Sequence, residues 1–331
     1  MEHLISIQTP EDIKAFEGSA LLPPFDPEDL ARHAPDAHWV LIADDNQIVG
    51  RCSLWWNTTP PYAEHRVGLI GHYAARDAAA ARRLLQNACE QLADHGCTMA
   101  IGPMDGSTWR RYRLMTERGT EPIFFLEPDN PDDWPGHFVD QGFTALAHYS
   151  SALTTDLAQQ DPRMKSVADR LSVMGVHIRP LDVQQFEQEL ERIYEVSVTS
   201  FRNNFLYTPI GQDEFVEMYR RVRPFLRPEC VLMAEHEGRP VGFLFAVPDW
   251  LQAQRGLAID TIIIKTVAVL PDRSHAGLGS FLVERGHRIA CELGYTRAIH
   301  ALMHDSNNSR NISRRSAQPM RGYTLFAKSL V

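Results

Sequence analysis

Cysteine is scarce and scattered in this chain of 331 residues: Cys52, Cys89, Cys97, Cys230 and Cys291 are odd in number and form no C-x-x-C pair. That pattern excludes a disulfide framework and a cysteine-based zinc site, and it fits a reducing cytoplasm. Long apolar runs are missing as well, since no stretch approaches the roughly 20 residues needed to span a bilayer. The N-terminal MEHLISIQTPEDIK carries acids early and has no extended apolar segment, so it does not read as a signal peptide. Positive charge is in deficit, and the formal net charge of −9 gives no general attraction for nucleic acid or an anionic membrane. With 44% hydrophobic residues the chain is globular and long enough for two cores, and the expectation is a soluble, cytoplasmic protein without a metal.

The most informative stretch is Val267 to Val283, VAVLPDRSHAGLGSFLV. The β-branched run Thr261 to Val269 reads as a strand that Pro271 and Asp272 stop. Gly277 and Gly279 allow close backbone approach, and Leu278, Phe281, Leu282, Ile289 and Leu293 then recur at helical spacing. Unpaired amides of the loop and first helical turn, with the positive end of the helix dipole, suit a pyrophosphate.

This stretch resembles motif A of the GNAT acetyltransferase superfamily, whose loop is often written (Arg or Gln)-x-x-Gly-x-(Gly or Ala). Anchored on Pro271, the match runs Ser274, His275, Ala276, Gly277, Leu278, Gly279, with Ser274 in the Arg or Gln slot and Arg273 one place early. The resemblance implies acetyl-CoA as co-substrate, held by Val267, Ala268, Val269 and the run from Ser274 to Ser280. A dinucleotide fold is disfavoured, because this loop follows a strand late in the chain rather than the first strand of a βαβ unit.

The second half, 176–331, predicts the order β-α-α-β-β-β-α-β-α-β, which is the GNAT order. Strands are expected at Val176 to Pro180, Val231 to Glu235, Val241 to Val247, Thr261 to Val269, Thr296 to His304 and Tyr323 to Lys328. Helices are expected at Val183 to Phe201, Asp213 to Phe225, after the glycine loop, and at Asn308 to Ala317. The first half, 1–155, repeats this grammar: a hairpin over Trp39 to Ala43 and Ile48 to Trp55, a strand Arg66 to Tyr73, and a helix Asp77 to His95 with Asp77 as N-cap. A strand Thr98 to Gly102 follows, and Gly136 to Ser150 supplies a helix, turn and closing strand. The glycine loop is missing there, for HYAARDAAA stands between strand and helix. The fold class is therefore α/β (α+β): tandem GNAT-like domains, each a mixed, mostly antiparallel twisted sheet flanked by helices. The first is degenerate, and residues 156–175 form a linker helix between them.

Acetyl transfer needs a deprotonated amine, a polarised thioester carbonyl and a proton for the leaving thiolate. Asp260 and Glu235 are the candidate bases. The family's usual acid is a tyrosine seven residues after the Asn that Asn308 matches, but Arg315 holds that slot. Tyr323 is the preferred acid here, with His304 and Ser316 as alternatives. Lys265, a charge inside an apolar strand, is read either as a lysine reaching out to water, or as a partner for a substrate carboxylate or a base of lowered pKa. The resemblance places Asn308 beside pantetheine, and it makes Ser200 to Ile210 a roof over the acceptor, with Asn203, Asn204, Tyr207 and Thr208 as binding residues. Gly102 to Arg113 reads as a glycine-rich turn leading into a helix that carries Trp109, Arg110, Tyr112 and Arg113 after Ser107 as N-cap, either an ordinary turn and capped helix or a candidate anion or aromatic pocket. The C-terminal cluster Arg310, Arg314, Arg315, Arg321 and Lys328 reads as a solvated face or an anion site.

The resulting expectation is an acetyl-CoA-dependent N-acetyltransferase acting on the amine of a small molecule in a ternary complex, with no nucleic-acid or membrane partner. A transferase using a different acyl donor and a non-catalytic acyl-CoA sensor are the alternatives. Oligomeric state is left open.

Overall fold

A computed structural model of the chain describes residues 2–14 and 22–331, with the Lys14 and Asn308 side chains outside the description. The first half runs β1 His3–Ile7, α1 Pro10–Lys14, α2 Glu28–His33, β2 Ala37–Ile42, β3 Ile48–Trp55, β4 Val67–Ala75, α3 Ala78–Asp94 and β5 Met99–Gly102. It ends with β6 Leu114–Glu117, α4 Trp134–Asp140 and β7 Thr144–Thr154, and α5 Arg163–Val173 connects to the second half. There follow β8 Val176–Pro180, α6 Phe186–Phe201, α7 Gln212–Arg220, β9 Val231–His236, β10 Arg239–Pro248 and α8 Trp250–Gln254. The chain closes with β11 Thr261–Val269, α9 Leu278–Glu292, β12 Arg297–His304, α10 Asn308–Ser313 and β13 Gln318–Ser329. None of the described helices is long and apolar enough to cross a membrane.

Side-chain alternation builds the second half's layers. On β10, Phe243, Phe245 and Val247 face the α6–α7 side and pack with Leu190, Ile193 and Phe215. Leu244 and Ala246 face the opposite side and pack with Leu278, Leu282 and Ala290 of α9. The period of two is what a strand buried on both faces requires. In the first half, Leu84, Leu85, Ala88 and Leu92 of α3 pack in one core with Val40, Leu54 and Ile70 of the sheet.

The sheet is continuous through both halves, in the order β1-β2-β3-β4-β5-β13-β7-β12-β11-β10-β9-β8, with β6 also pairing β13. The two closing strands are exchanged. β13 lies against β5 of the first half, from Phe326↔Gly102 to Ser329↔Met99, whereas β7 lies against β12 of the second, from Ala298↔Thr154 to His304↔Tyr149. The closing strand expected for the first half thus forms, but in the other half's sheet. In this crossed arrangement β13 covers the edge that β5 would otherwise present, and β7 that of β12. A second departure is local. Gly102 to Arg113 forms bends and a turn rather than a helix, because Arg113 N donates to Pro103 O and Asp105 N to Arg111 O.

Because neither half can release its last strand without opening the other's sheet, calorimetric unfolding should show one cooperative transition for the whole chain. Two resolved transitions would contradict this coupling.

Candidate functional site

Strands β11 and β12 pair in parallel from Thr261↔Arg297 to Ile264↔His300 and then part. Each strand carries a bulge where they diverge. In β11, Phe245↔Thr266 and Ala246↔Ile264 leave Lys265 as the extra residue. In β12, His300↔Ala152 and Met303↔Ser150 bracket the extra residue, and Leu302 adopts a left-handed φ of 61°. Bulges bend a strand and re-aim its side chains. The wedge forms one end of a cavity of about 1250 Å³, walled by Lys265, Thr266, Val267, Val283, His300, His304 and Ile312. The cavity continues past Arg113 and Glu127 to Phe25, His33, Arg51 and His72 of the first half.

Above the wedge lies the start of α9. Its N-cap is Gly277, with φ of 84°, and no side chain caps it among the described residues. The first intrahelical bond is Phe281 N to Gly277 O, so the amides of Leu278, Gly279 and Ser280 precede the ladder, as the first turn of any helix requires. A Cβ on Gly279 would meet Val267, Val269 and Ile312 only at ordinary contact distances, from 3.7 Å. The corresponding helix of the first half is closed: the Asp77 carboxylate accepts from Ala79 N at 3.0 Å and Ala80 N at 2.9 Å. An internal anion thus fills the place that a phosphate would take.

The structure brings some of the candidate residues to the cavity and leaves others elsewhere. Lys265, Val267, His304, Asn204 and Tyr207 line it. Ala268, Val269, Asn203, Thr208 and the loop from Ser274 to Ser280 do not, and among the loop residues His275 is buried and Ala276 O is taken by Arg170. Trp109 from the first half donates to Thr208 O at 2.8 Å and so pins the roof segment. Asn308 begins α10, its side chain lying outside the described ones.

Asp260 sits at the far end of β11, roughly 16 Å of strand from Lys265, where it accepts from Gln252 at 2.6 Å and Thr261 at 2.7 Å. Burial raises its pKa, but the hydrogen bonds from Thr261 and Gln252 outweigh that and hold it below the ordinary value. Glu235 belongs to an ion-pair cluster with Arg179 and Arg192, away from the cavity. Tyr323 is fully buried behind the cavity wall, its hydroxyl donating to Glu127 and lying 3.0 Å from Ser151 Oγ. Its pKa is raised by burial and then by the Glu127 charge. Four of the five C-terminal cations are engaged separately: Arg310 pairs with Asp305, Arg315 with Asp161, Arg321 is buried, and Lys328 lies over the Phe143 ring, while Arg314 is exposed at the end of α10.

Two side chains at the wedge have defined states. His304 Nδ1 accepts from Ser306 N at 3.1 Å, which assigns the neutral ring's proton to Nε2. Burial, with the nearby Arg113, lowers its pKa. Lys265 Nζ donates to Leu126 O at 2.8 Å, and burial, reinforced by Arg113, lowers its pKa from 10.5 to about 7.

Two groups at the cavity escaped the sequence reading, and a third, Arg113, falls in its candidate anion or aromatic pocket. Glu127 is fully buried with Arg321, whose Nε donates to its Oε1 at 2.8 Å, and it also accepts from Phe124 N. Burial raises its pKa. A histidine chain occupies the other end: His33 Nδ1 meets His72 Nε2 at 2.8 Å, His72 Nδ1 meets Ser53 Oγ at 2.8 Å, and Ser53 Oγ meets His38 Nδ1 at 2.6 Å. Burial pushes His72 and His38 down to about 3, so these rings are neutral. His72 lies in a bulge of β4 between Ala74↔Arg51 and Gly71↔Ser53, the counterpart of the Lys265 bulge. Arg113 is the third, a buried guanidinium between two tyrosine rings. None of these belongs to a motif, and only the odd Gly102 to Arg113 segment pointed toward one of them.

Glu127→Gln leaves Arg321 buried without a counter-charge, and the expected loss of stability is about 3–5 kcal/mol in denaturant unfolding. Lys265 supplies a pH test. The native lysine is mostly neutral above about pH 7, whereas the unfolded one keeps its proton to 10.5. The unfolded state therefore binds more protons across that window, and stability rises with pH there. Thermal unfolding of Lys265→Met should show a flatter rise between these limits, and an unchanged slope would contradict the lowered pKa.

The Acetyltransferase (GNAT) family pattern matches residues 3–108 and 190–313. Among curated proteins, the chain is 25% identical over 196 residues to the bacterial ceramide synthase of Caulobacter vibrioides, covering 58% of this chain and 50% of that protein. It is 23% identical over 211 residues to protein YghO of Escherichia coli, covering 61% and 53% respectively. The chain thus spans about half the length of the curated relatives it matches. A GCN5-related N-acetyltransferase from Sphaerobacter thermophilus superposes with a TM-score of 0.51 at 13% identity, covering 99% of this chain and 96% of that one. A tandem GNAT protein from the clavulanic acid biosynthesis pathway gives a TM-score of 0.51 at 12% identity, covering 100% and 99%. The chain belongs to the GNAT acetyltransferase family, as a member with two GNAT-like halves in tandem.

Proposed function

We infer that the protein transfers an acyl group from acetyl-CoA to the amine of a small-molecule acceptor in a ternary complex, at the wedge between β11 and β12. The observation that carries this reading is the pairing of that wedge with the open amides of α9, set against the Asp77-filled amides of α3. The pyrophosphate would lie on the amides of Leu278, Gly279 and Ser280, and pantetheine would run down past Val267 toward the bulges.

Lys265 is the base this geometry supports best. It stands at the bulge, faces the cavity, and is substantially unprotonated near neutrality. As the acceptor nitrogen attacks the thioester carbon, its proton passes to Lys265 Nζ, the carbon–sulfur bond breaks, and the thiolate takes a proton from solvent or from Lys265 itself. Tyr323, directly behind Glu127 in the wall, is better placed to hold that carboxylate than to reach the sulfur.

A second reading is favoured by the cavity, whose volume of about 1250 Å³ exceeds the usual upper range of roughly 1,000 Å³ for small-molecule sites. A longer acyl-CoA donor would use that space, and similarity to a ceramide synthase points the same way. Calorimetry with acetyl-CoA on wild type and Gly279→Glu tests the donor site. The added carboxylate should weaken binding by at least about tenfold through charge repulsion at the helix N-terminus. Equal affinity would remove the α9 assignment, and a donor series of increasing acyl length, followed by thiol release, separates the two readings.

A further inference from the structure

The charge around the wedge does not balance. Arg113 and Arg321 carry fixed positive charge there beside the largely neutral Lys265, and Glu127 is the carboxylate near them, already held by Arg321, Tyr323 and Phe124 N. Arg113 is only 6% exposed. Its guanidinium carbon lies 4.1 Å from the Tyr112 ring centroid and 4.3 Å from that of Tyr149. Its Nε and Nη1 have no hydrogen-bond partner, and no carboxylate forms an ion pair with it among the described residues. The backbone holds it there at a left-handed φ of 66°, an uncommon setting for a long side chain. Lys265 likewise has a carbonyl, Leu126 O, rather than a carboxylate. An uncompensated guanidinium sequestered from water is costly unless something else supplies the counter-charge. In a chain of net charge −9, that counter-charge could have come from the protein and does not.

We propose that Arg113 is a specificity residue of the acceptor subsite, contributed by the first half of the chain, and that the acceptor is an amine that also carries a carboxylate. This rests on the transfer reaction proposed above. The planar guanidinium suits a carboxylate, its position between two tyrosine rings fixes its orientation, and its permanent charge keeps the neighbouring lysine from competing for the anion. The same placement explains why the cavity needs both halves: the second supplies the donor wedge and Lys265, the first supplies the group that reads the acceptor.

The test is binding of matched probes to the full chain in the absence of any donor: leucine against leucinamide, and phenylalanine against phenylalaninamide. Wild type should bind the carboxylates more tightly than the amides by about tenfold, Arg113→Gln should reduce that ratio to near one, and Arg113→Lys should restore part of it. Acetyl-CoA affinity, measured separately on each variant, should stay at the wild-type value, which also shows that the variants are folded. Equal binding of both members of each pair by wild type, no binding of either carboxylate, or a ratio that survives in Arg113→Gln overturns the proposal. Loss of acetyl-CoA binding in wild type would instead overturn the donor site, and it leaves the carboxylate ratio readable.

Discussion

The antiparallel ladder between β7 and β13, running from Gln318↔Leu153 to Ala327↔Thr144, joins the two halves into one continuous sheet. Each strand is the last of its own half and the inner neighbour of the other half's sheet. β7 lies beside β12 and thereby sets where β12 bulges, because Ser151 Oγ accepts from Leu302 N at 3.0 Å in that bulge. β13 carries Arg321 and Tyr323 beneath the 118–129 segment, clamping Glu127 and presenting Leu126 O to Lys265. The cavity is therefore a property of the ladder rather than of either half.

Two helices that start in equivalent places have opposite electrostatic fates. At α3 the amides are satisfied by Asp77, a cap worth about 1 kcal/mol to the helix that also puts a fixed negative charge where a phosphate would bind. At α9 no side chain among the described residues caps the helix, so its first amides stay open. The two halves thus differ in one capping side chain, present at α3 and absent at α9 among the described residues. The first half then serves the site differently: through Trp109 on the roof segment, through Arg113 and Glu127 in the wall, and through the neutral histidine chain at the far end.

The fold was largely legible because its signals are local. Thr261–Val269 and Val176–Pro180 match the strands found, residue for residue, since β-branched runs bounded by turn residues leave few alternatives. Asp77 as a cap was legible for the same reason. The site was legible only in part. Lys265 stood out as a charge in an apolar strand, but nothing local says that a bulge turns it into a cavity, because the bulge is a register relation with β10. The Glu127–Arg321 pair joins residues 194 apart, and Trp109 reaches Thr208 across 99. Asp260 and Glu235 read as bases by type and strand position, yet partners distant in sequence claim Glu235 for an ion-pair cluster. The helix expected after Ser107 failed because backbone bonds across the turn replaced the helical ladder.

A chain with two GNAT-like halves should then have one donor site, made where α9 is open and lacking where Asp77 closes α3. The number of acetyl-CoA molecules bound at saturation, measured by isothermal calorimetry on the full chain, tests it most directly. One per chain is expected. Two per chain, or none, would contradict it.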